Sequence, residues 1–142
     1  MTVKAILDEK GRDVVTVARE ATLAEAAATL ADRRIGALVV TDGSNAILGI
    51  LSERDIVRAV AEGGGQALER PVSALMTSKV VRCTEQTTMG ELMEMMTDGR
   101  FRHLPVEKDG RLAGIVSIGD VVRRRIEEAE REAAEMKAYI AS

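Results

Sequence analysis

The chain has 142 residues, of which 46% are apolar and 30% are charged, and its formal net charge is -3 at pH 7. This length supports one sizeable core, or two small cores that share an interface. The slight negative charge gives no attraction to nucleic acids or anionic membranes, and Phe101 and Tyr139 are the only aromatic side chains that could stack on bases. We therefore expect no nucleic-acid partner.

Cys83 and His103 are the only cysteine and the only histidine. One cysteine cannot form an internal disulfide, and one Cys with one His is too few for a zinc site or a thiol-histidine nucleophile within one chain. The sequence contains neither an apolar signal core after Met1 nor an apolar run long enough to span a membrane. We expect a cytoplasmic protein with no membrane contact, no metal site and no catalytic residues.

The first half begins with an apolar-periodic segment from Val3 to Lys10, which Gly11 ends. The elements predicted to follow are a strand rich in β-branched residues at 14–17, a helix at 23–33, two strands joined by a turn at 35–41 and 47–51, and a second helix at 53–61. Three glycines at 63–65 then begin a linker. We therefore place the boundary between two halves, 1–66 and 67–142, within residues 63–71.

The second half repeats this order about 65 residues later. Val72 to Met76 repeats the opening segment, and further elements are predicted at 80–83, 89–97, 101–107, 112–116 and from Ile118 into the C-terminal tail. The matching segments are 22–25 with 88–91, 37–40 with 103–106, and 49–55 with 114–120. Because a half of this size can bury only part of its apolar surface alone, we expect the two halves to pack face to face with related clefts at their junction.

The repeated motifs resemble those of the CBS-domain family, in the form of a stand-alone bacterial pair of CBS repeats. The motifs are GILSERD at 49–55, GIVSIGD at 114–120, RHLPV at 102–106 and the two Thr-x-x-Glu caps. The resemblance implies an α+β fold of two β-α-β-β-α repeats packed with pseudo-twofold symmetry, followed by an extended C-terminal helix. It also implies clefts for AMP, ATP, NAD(H) or S-adenosylmethionine, and association into homodimers.

Each half carries a Ser-x-x-Asp segment at the start of a helix. Ser52 and Ser117 lie where a strand meets a helix N-terminus, which attracts phosphate through free N–H groups and the helix dipole. Asp55 and Asp120 follow in the first helical turn, where a carboxylate can accept from both ribose hydroxyls. Such a segment alone is more often a simple helix cap, but its duplication in a matching frame favours a ligand site here.

The resemblance implies that Arg102 and His103 reach phosphate in the cleft that contains Ser52 and Asp55. Arg54 could bind phosphate there through two hydrogen bonds. The structural alternatives are an arginine exposed to solvent and a histidine at the end of a strand whose hydrogen bond is satisfied within the protein.

The second copy lacks these basic residues. Gly36 and Ala37 stand at the positions of Arg102 and His103, and Gly119 at that of Arg54. We predict that the two clefts differ: the Asp55 cleft binds charged phosphates, and the Asp120 cleft takes a less charged part of a ligand or stays empty.

Apolar strand residues are candidates for the slot that holds the base, although most of them are expected to be ordinary core. These candidates are Val15, Val17, Leu38, Ile50, Val81, Leu104 and Ile115, and Pro105 joins them through the RHLPV motif.

The C-terminal helix has an apolar heptad seam. Its members alternate spacings of four and three, and they are Val122, Ile126, Ala129, Ala133, Met136 and Ile140. We prefer self-pairing in a homodimer as its role, with docking on its own lobe as the alternative.

Together these features predict a non-enzymatic regulatory module that binds an adenine nucleotide between its repeats. It would signal through a dimer surface or an unidentified protein target, and it would need no catalytic cofactor. The alternative is a structural or assembly protein whose clefts are vestigial. An enzyme is the third possibility, and it has the least support because the clefts offer no activated nucleophile.

Overall fold

The computed structural model of the chain describes residues 1–142 as helices and strands in the predicted order. The helices are α1 (Val3–Lys10), α2 (Leu23–Arg33), α3 (Glu53–Gly63), α4 (Val72–Leu75), α5 (Met89–Gly99) and α6 (Ile118–Ala141), and the strands are β1 (Thr16–Ala18), β2 (Ala37–Thr41), β3 (Ile47–Ser52), β4 (His103–Lys108) and β5 (Arg111–Ser117). The predicted α+β architecture, with two similar repeats and an extended C-terminal helix, is confirmed.

The first repeat has a three-stranded sheet. Strand β2 lies in the centre, parallel to β1 and antiparallel to β3. The Oγ1 atom of Thr22 accepts from the N–H of Glu25 at 3.2 Å, and the Glu25 carboxylate accepts from the N–H of Thr22 at 3.3 Å. This reciprocal pair satisfies two free donors of the helix N-terminus, and it starts α2 where the sequence predicted.

The second repeat has only the antiparallel pair β4 and β5. The strand predicted at 80–83 is reduced to a single parallel bridge between Cys83 and Val106. In that bridge the N–H of Cys83 donates to the carbonyl of Pro105, and the N–H of Glu107 donates to the carbonyl of Cys83. Because Pro105 has no N–H on this same edge, the next bond of the ladder cannot form, which explains the loss of the strand.

Each repeat completes the core of the other with its opening helix. Val3, Ile6 and Leu7 of α1 belong to the core of the second repeat, whereas Val72 of α4 belongs to the core of the first. The exchange is fastened by main-chain bonds, in which the N–H of Val3 donates to Thr87 at 2.8 Å and the N–H of Val72 donates to Ala21 at 2.7 Å. The two repeats are thereby held face to face.

The segment predicted to begin the linker between the halves has regular structure. It forms a 3-10 helix over Gly64–Glu69, and Ala67 within it is buried in the core of the first repeat. The burial of this apolar side chain explains why a segment that begins with two glycines adopts regular structure.

Helix α6 is 24 residues long, and its first turns pack on the second repeat through the buried Val121. Every residue from 129 to 142 is exposed. No helix of the chain, α6 included, combines the length and apolarity that crossing a membrane requires.

Candidate functional site

A cavity of about 420 Å³ lies between the two repeats. The first repeat supplies the junction of β3 with α3, and the second supplies the start of β4 with the loop before it. Its lining residues are Gly36, Ala37, Ile50, Ser52, Glu53, Arg54, Asp55, Arg58, Thr77, Lys79, Val80, Val81, Gly99, Arg100, Phe101, Arg102, His103 and Leu104. The volume falls within the range that small-molecule sites occupy.

The Ser52 and Asp55 side chains form the polar anchor of this cavity. Asp55 Oδ2 accepts from the N–H of Ser52 at 2.8 Å and from its Oγ at 3.1 Å, and the N–H of Asp55 donates to Ser52 Oγ at 3.4 Å. Asp55 forms no ion pair, and its Oδ1 makes none of these bonds. The cap therefore leaves one carboxylate oxygen available to accept from a ligand hydroxyl.

Five cations line the cavity, and none of them has a carboxylate partner in the chain. They are Arg54, Arg58, Lys79, Arg100 and Arg102, against two carboxylates, Glu53 and Asp55. Unpaired cations collected in one concavity raise the local concentration of anions.

Three of these cations were not among the residues predicted from the sequence: Arg58, Lys79 and Arg100. Arg58 follows Arg54 by four residues on α3, so the helical period could have placed both on one face. Lys79 and Arg100 lie in loops of the second repeat, and no local pattern identifies them.

His103 lies at the wall between the Asp55 cavity and the Ser117–Asp120 segment. A Cβ atom added to Gly36 would come within 3.3 Å of its Cε1 and 3.0 Å of Glu53 Oε1. Burial and the nearby Lys10 hold the pKa of His103 below its usual 6.5, although Asp120 and Glu53 oppose this shift. The imidazole is thus mainly neutral near pH 7 in the free protein.

The second Ser-x-x-Asp segment has the same cap but a different partner. Asp120 Oδ2 accepts from the N–H of Ser117 at 2.9 Å, and it also forms an ion pair with Lys10 at 2.7 Å. The Asp120 side chain is only 9% exposed. The carboxylate that would contact ribose is therefore already bound by a lysine of α1.

The structure brings most of the predicted site residues to one cavity. Gly36, Ala37, Val81 and Leu104 join the polar residues there. Four predicted residues do not line the cavity. Ser117 and Asp120 belong to the second Ser-x-x-Asp segment, and the other two are Val17 and Pro105. Val17 packs against the core of the first repeat, and Pro105 is paired with Ile115 within the β4–β5 hairpin.

No group of three or more His, Cys, Asp or Glu side chains is arranged to hold a metal ion. Cys83 is buried beside β4, and burial raises the pKa of its thiol to about 12.

Comparison with known proteins identifies the repeated unit. The family model described as the CBS domain matches twice, at residues 3–62 and 72–127. The chain belongs to the CBS-domain family. The two CBS matches correspond to the two repeats, and the cavity lies between them.

Solved CBS structures share this fold over most of their length. A CBS-domain-containing protein of Agrobacterium tumefaciens is 57% identical, with a TM-score of 0.85 over 88% of this chain and 99% of that protein. A CBS domain pair solved in complex with 5′-methylthioadenosine and S-adenosyl-L-methionine is 25% identical, with a TM-score of 0.81 over 90% of this chain and 98% of that chain.

A curated relative is also similar in sequence. It is an uncharacterized 17.7 kDa protein of Acidianus ambivalens, 40% identical over 111 residues. The match spans 78% of this chain and 66% of that protein, slightly less than two thirds of its length.

Proposed function

We propose that the protein is a non-enzymatic regulatory module that binds an adenine nucleotide of the AMP, ATP or NAD(H) type in the Asp55 cavity. The observation that carries the proposal is the combination of a free Asp55 oxygen with five unpaired cations in one cavity. An adenosine phosphate presents a ribose diol and an anionic group, which these two features match. The related CBS pair that holds two adenosine derivatives supports the same ligand class.

The position of the cations favours a ligand with phosphate over plain adenosine. Arg54, Arg100 and Arg102 line both the main cavity and an adjoining cavity of about 280 Å³. A phosphate chain directed toward this boundary would face three guanidinium groups, which bind phosphate oxygens with paired hydrogen bonds. Glu53 and Asp55 also line the main cavity and would repel phosphate, which favours placing it near these arginines.

The two clefts are proposed to differ in ligand binding. Lys10 already neutralises Asp120 in the second copy, whereas Asp55 has no such partner. A ribose at Asp120 would meet a carboxylate that Lys10 already pairs and that Arg123 approaches to 3.8 Å, so it would gain less from the contact than a ribose at Asp55. We therefore propose that nucleotide enters the Asp55 cavity first and that the second cleft contributes weakly or stays empty.

Signalling is proposed to follow from the shared walls of the cavity. Ser52 and Arg54 belong to the first repeat, and Arg102 and His103 belong to the second. A ligand held by both would favour the arrangement of the repeats that it binds best, and would pass that preference to a homodimer or a protein target.

A structural or assembly role is the second candidate. The exposed apolar residues of α6 favour it, because they offer a surface that does not depend on ligand. Under that role the cavity would be vestigial.

Thermal shift with AMP, ATP, NADH and S-adenosylmethionine separates the two functions, because a ligand that binds the native state must raise the melting temperature. Arg102→Ala should weaken AMP binding about tenfold, the effect expected of a lost hydrogen bond to a charged group. Arg111→Ala is the matched control, because Arg111 is exposed at the start of β5 and lies outside the cavity. No response to any of the four compounds would favour the assembly role.

A further inference from the structure

The outer half of α6 has no contact that explains its folding. All residues from 129 to 142 are exposed, and the helix continues to Ala141. Isolated helices of this length are marginal in water. Some other surface is needed to cover this segment.

The apolar seam of α6 lies on a face that its own chain leaves open. Val122 is 49% exposed, Ile126 54%, Met136 61% and Ile140 76%. A different face packs on the body, through the buried Val121 and through Arg124, which pairs with Glu9 of α1. Docking of the seam on its own lobe, which the sequence left open, therefore does not occur in this structure.

The charges beside the seam identify what covers it. In heptad terms Ile126, Ala133 and Ile140 are a positions. The flanking g positions then hold Arg125 and Glu132, and the e positions hold Arg123, Glu130 and Lys137. None of Glu130, Glu132 and Lys137 forms an ion pair within the chain, and Arg125 approaches Glu128 only to 3.9 Å. These charges are therefore free to face a partner.

Two copies of α6 side by side in the same direction match these charges. In a parallel pair each g position faces the e position of the next heptad, which sets Arg125 against Glu130 and Glu132 against Lys137 of the second copy. In the antiparallel arrangement that aligns the seams, Glu130 faces Glu130, Glu132 faces Glu132 and Arg123 faces Lys137. All of those contacts are repulsive.

We propose that the α6 seam pairs in parallel with the same seam of a second copy of the chain. This inference does not rest on nucleotide binding. It places both bodies at the same end of the paired helices, so that the Asp55 cavities of the two copies lie near one another. The two alanines in the seam make the pairing moderate in strength, which suits an assembly that a ligand could adjust.

Cysteine cross-linking tests the orientation. Ala133→Cys places a thiol in the seam. Parallel pairing sets this thiol beside the thiol at position 133 of the second chain, so oxidation should yield a covalent dimer. Ala138→Cys is the matched control, because the same substitution lies on the opposite face of the helix and should not cross-link. Cys83 is buried and does not compete. Equal cross-linking at both positions, or cross-linking only in a mixture of Ala129→Cys and Ala133→Cys chains, would overturn the parallel pair.

Charge reversal tests the specificity of the pairing. Glu132→Lys should raise the dimer dissociation constant about tenfold in sedimentation equilibrium, because two attractive contacts become repulsive. Adding Lys137→Glu should restore it, and Glu135→Lys, outside the seam, should leave it unchanged. These exposed positions are far from the core. AMP binding provides a separate measurement of whether the two repeats remain folded in each variant. A monomer at every concentration, including one whose seam binds only a different protein, contradicts the proposal.

Discussion

Among single residues, His103 offers a direct probe of what the cavity holds, because the chain contains no other histidine. Burial and Lys10 keep its pKa below 6.5. A phosphate beside it would favour the imidazolium, so saturating AMP should raise the pKa of His103. Proton NMR of its single Cε1–H resonance measures this shift. Adenosine is the matched ligand without phosphate, and it should leave the pKa nearly unchanged; an AMP titration that does the same contradicts phosphate binding at His103.

The Lys10–Asp120 ion pair should stabilise the protein in a pH-dependent way. Burial alone would raise the pKa of Asp120, but the bonds from Lys10 and from the N–H of Ser117 lower it below 3.8. A depressed carboxylate pKa stabilises the folded state above the unfolded value, and this contribution disappears as the pH falls through the folded value. Lys10→Met should therefore lower the free energy of unfolding by about 1–3 kcal/mol at pH 7, and by progressively less as the pH falls below 3.8.

Urea unfolding at several pH values measures this difference. Lys4→Met is the control on the same helix, because Lys4 pairs only with the exposed Asp8 and should contribute little. A Lys10→Met effect that stays constant from pH 7 to pH 3 would show that the ion pair is not its cause.

The anchor residues of the cavity were predictable, whereas three of its five cations were not. Ser52 and Asp55 belong to a local motif, and Arg102 and His103 belong to a motif of the second repeat. Their convergence follows from the duplication. Lys79 and Arg100 enter the cavity only because loops of the second repeat fold over the first, and short-range sequence patterns carry no information on that contact.

At the level of elements, the end of α5 depends on a glycine for packing and not for backbone freedom. A Cβ atom on Gly99 would lie 1.9 Å from the ring of Phe101, which packs against the core of the second repeat and lines the cavity. Gly99→Ala should therefore cost about 1–3 kcal/mol of unfolding free energy, as overpacking does.

Gly90→Ala is the matched control within the same helix. Its nearest neighbour would be Thr88 Oγ1 at 4.0 Å, so the substitution has room and gains helix propensity of about 0.5–1 kcal/mol. Chemical denaturation should thus rank Gly90→Ala above wild type and Gly99→Ala below it. A Gly99→Ala variant as stable as the wild type would contradict this prediction, because it would mean that the Phe101 ring moves aside without cost.

Element boundaries were predicted best where capping chemistry defines them. The boxes at Thr22 and Thr88 start α2 and α5 at the predicted residues. The strand predicted at 80–83 is reduced to one bridge because its partner, β4, lacks an N–H donor at Pro105. That donor is missing from the neighbouring strand, so the residues at 80–83 give no sign of it. The 3-10 helix in the segment predicted to begin the linker was missed for a similar reason, since it depends on the core of the first repeat, which accommodates Ala67.

On the scale of the whole molecule, the exchange of α1 and α4 joins the repeats into one unit. The sequence indicated an apolar-periodic segment from Val3 to Lys10, but periodicity identifies an apolar face without naming the core that it covers. The boundary between residues 66 and 67 remains a prediction of where the first repeated sequence unit ends and the second begins. Because each core contains a helix from the other side of that boundary, a ligand that shifts one repeat must also affect the other.

The exchange also explains why the two Ser-x-x-Asp segments have different surroundings. Helix α1 ends at Lys10, so packing it on the second repeat delivers that lysine to Asp120 at 2.7 Å. The first repeat receives the shorter α4, and Asp55 remains without an ion pair. The difference between the two segments therefore arises from the tertiary packing as well as from the sequence, which has Gly36 and Ala37 at the positions of Arg102 and His103.

Calorimetric titration with AMP tests the central claim most directly, applied to the wild type, Asp55→Asn and Asp120→Asn. The two variants are matched, because both carboxylates cap a helix in the same way. We predict one dominant site per chain in the wild type, a large loss of affinity in Asp55→Asn and nearly unchanged affinity in Asp120→Asn. Two equal and independent sites, or binding that Asp55→Asn leaves intact, would contradict the assignment of the nucleotide to the Asp55 cavity.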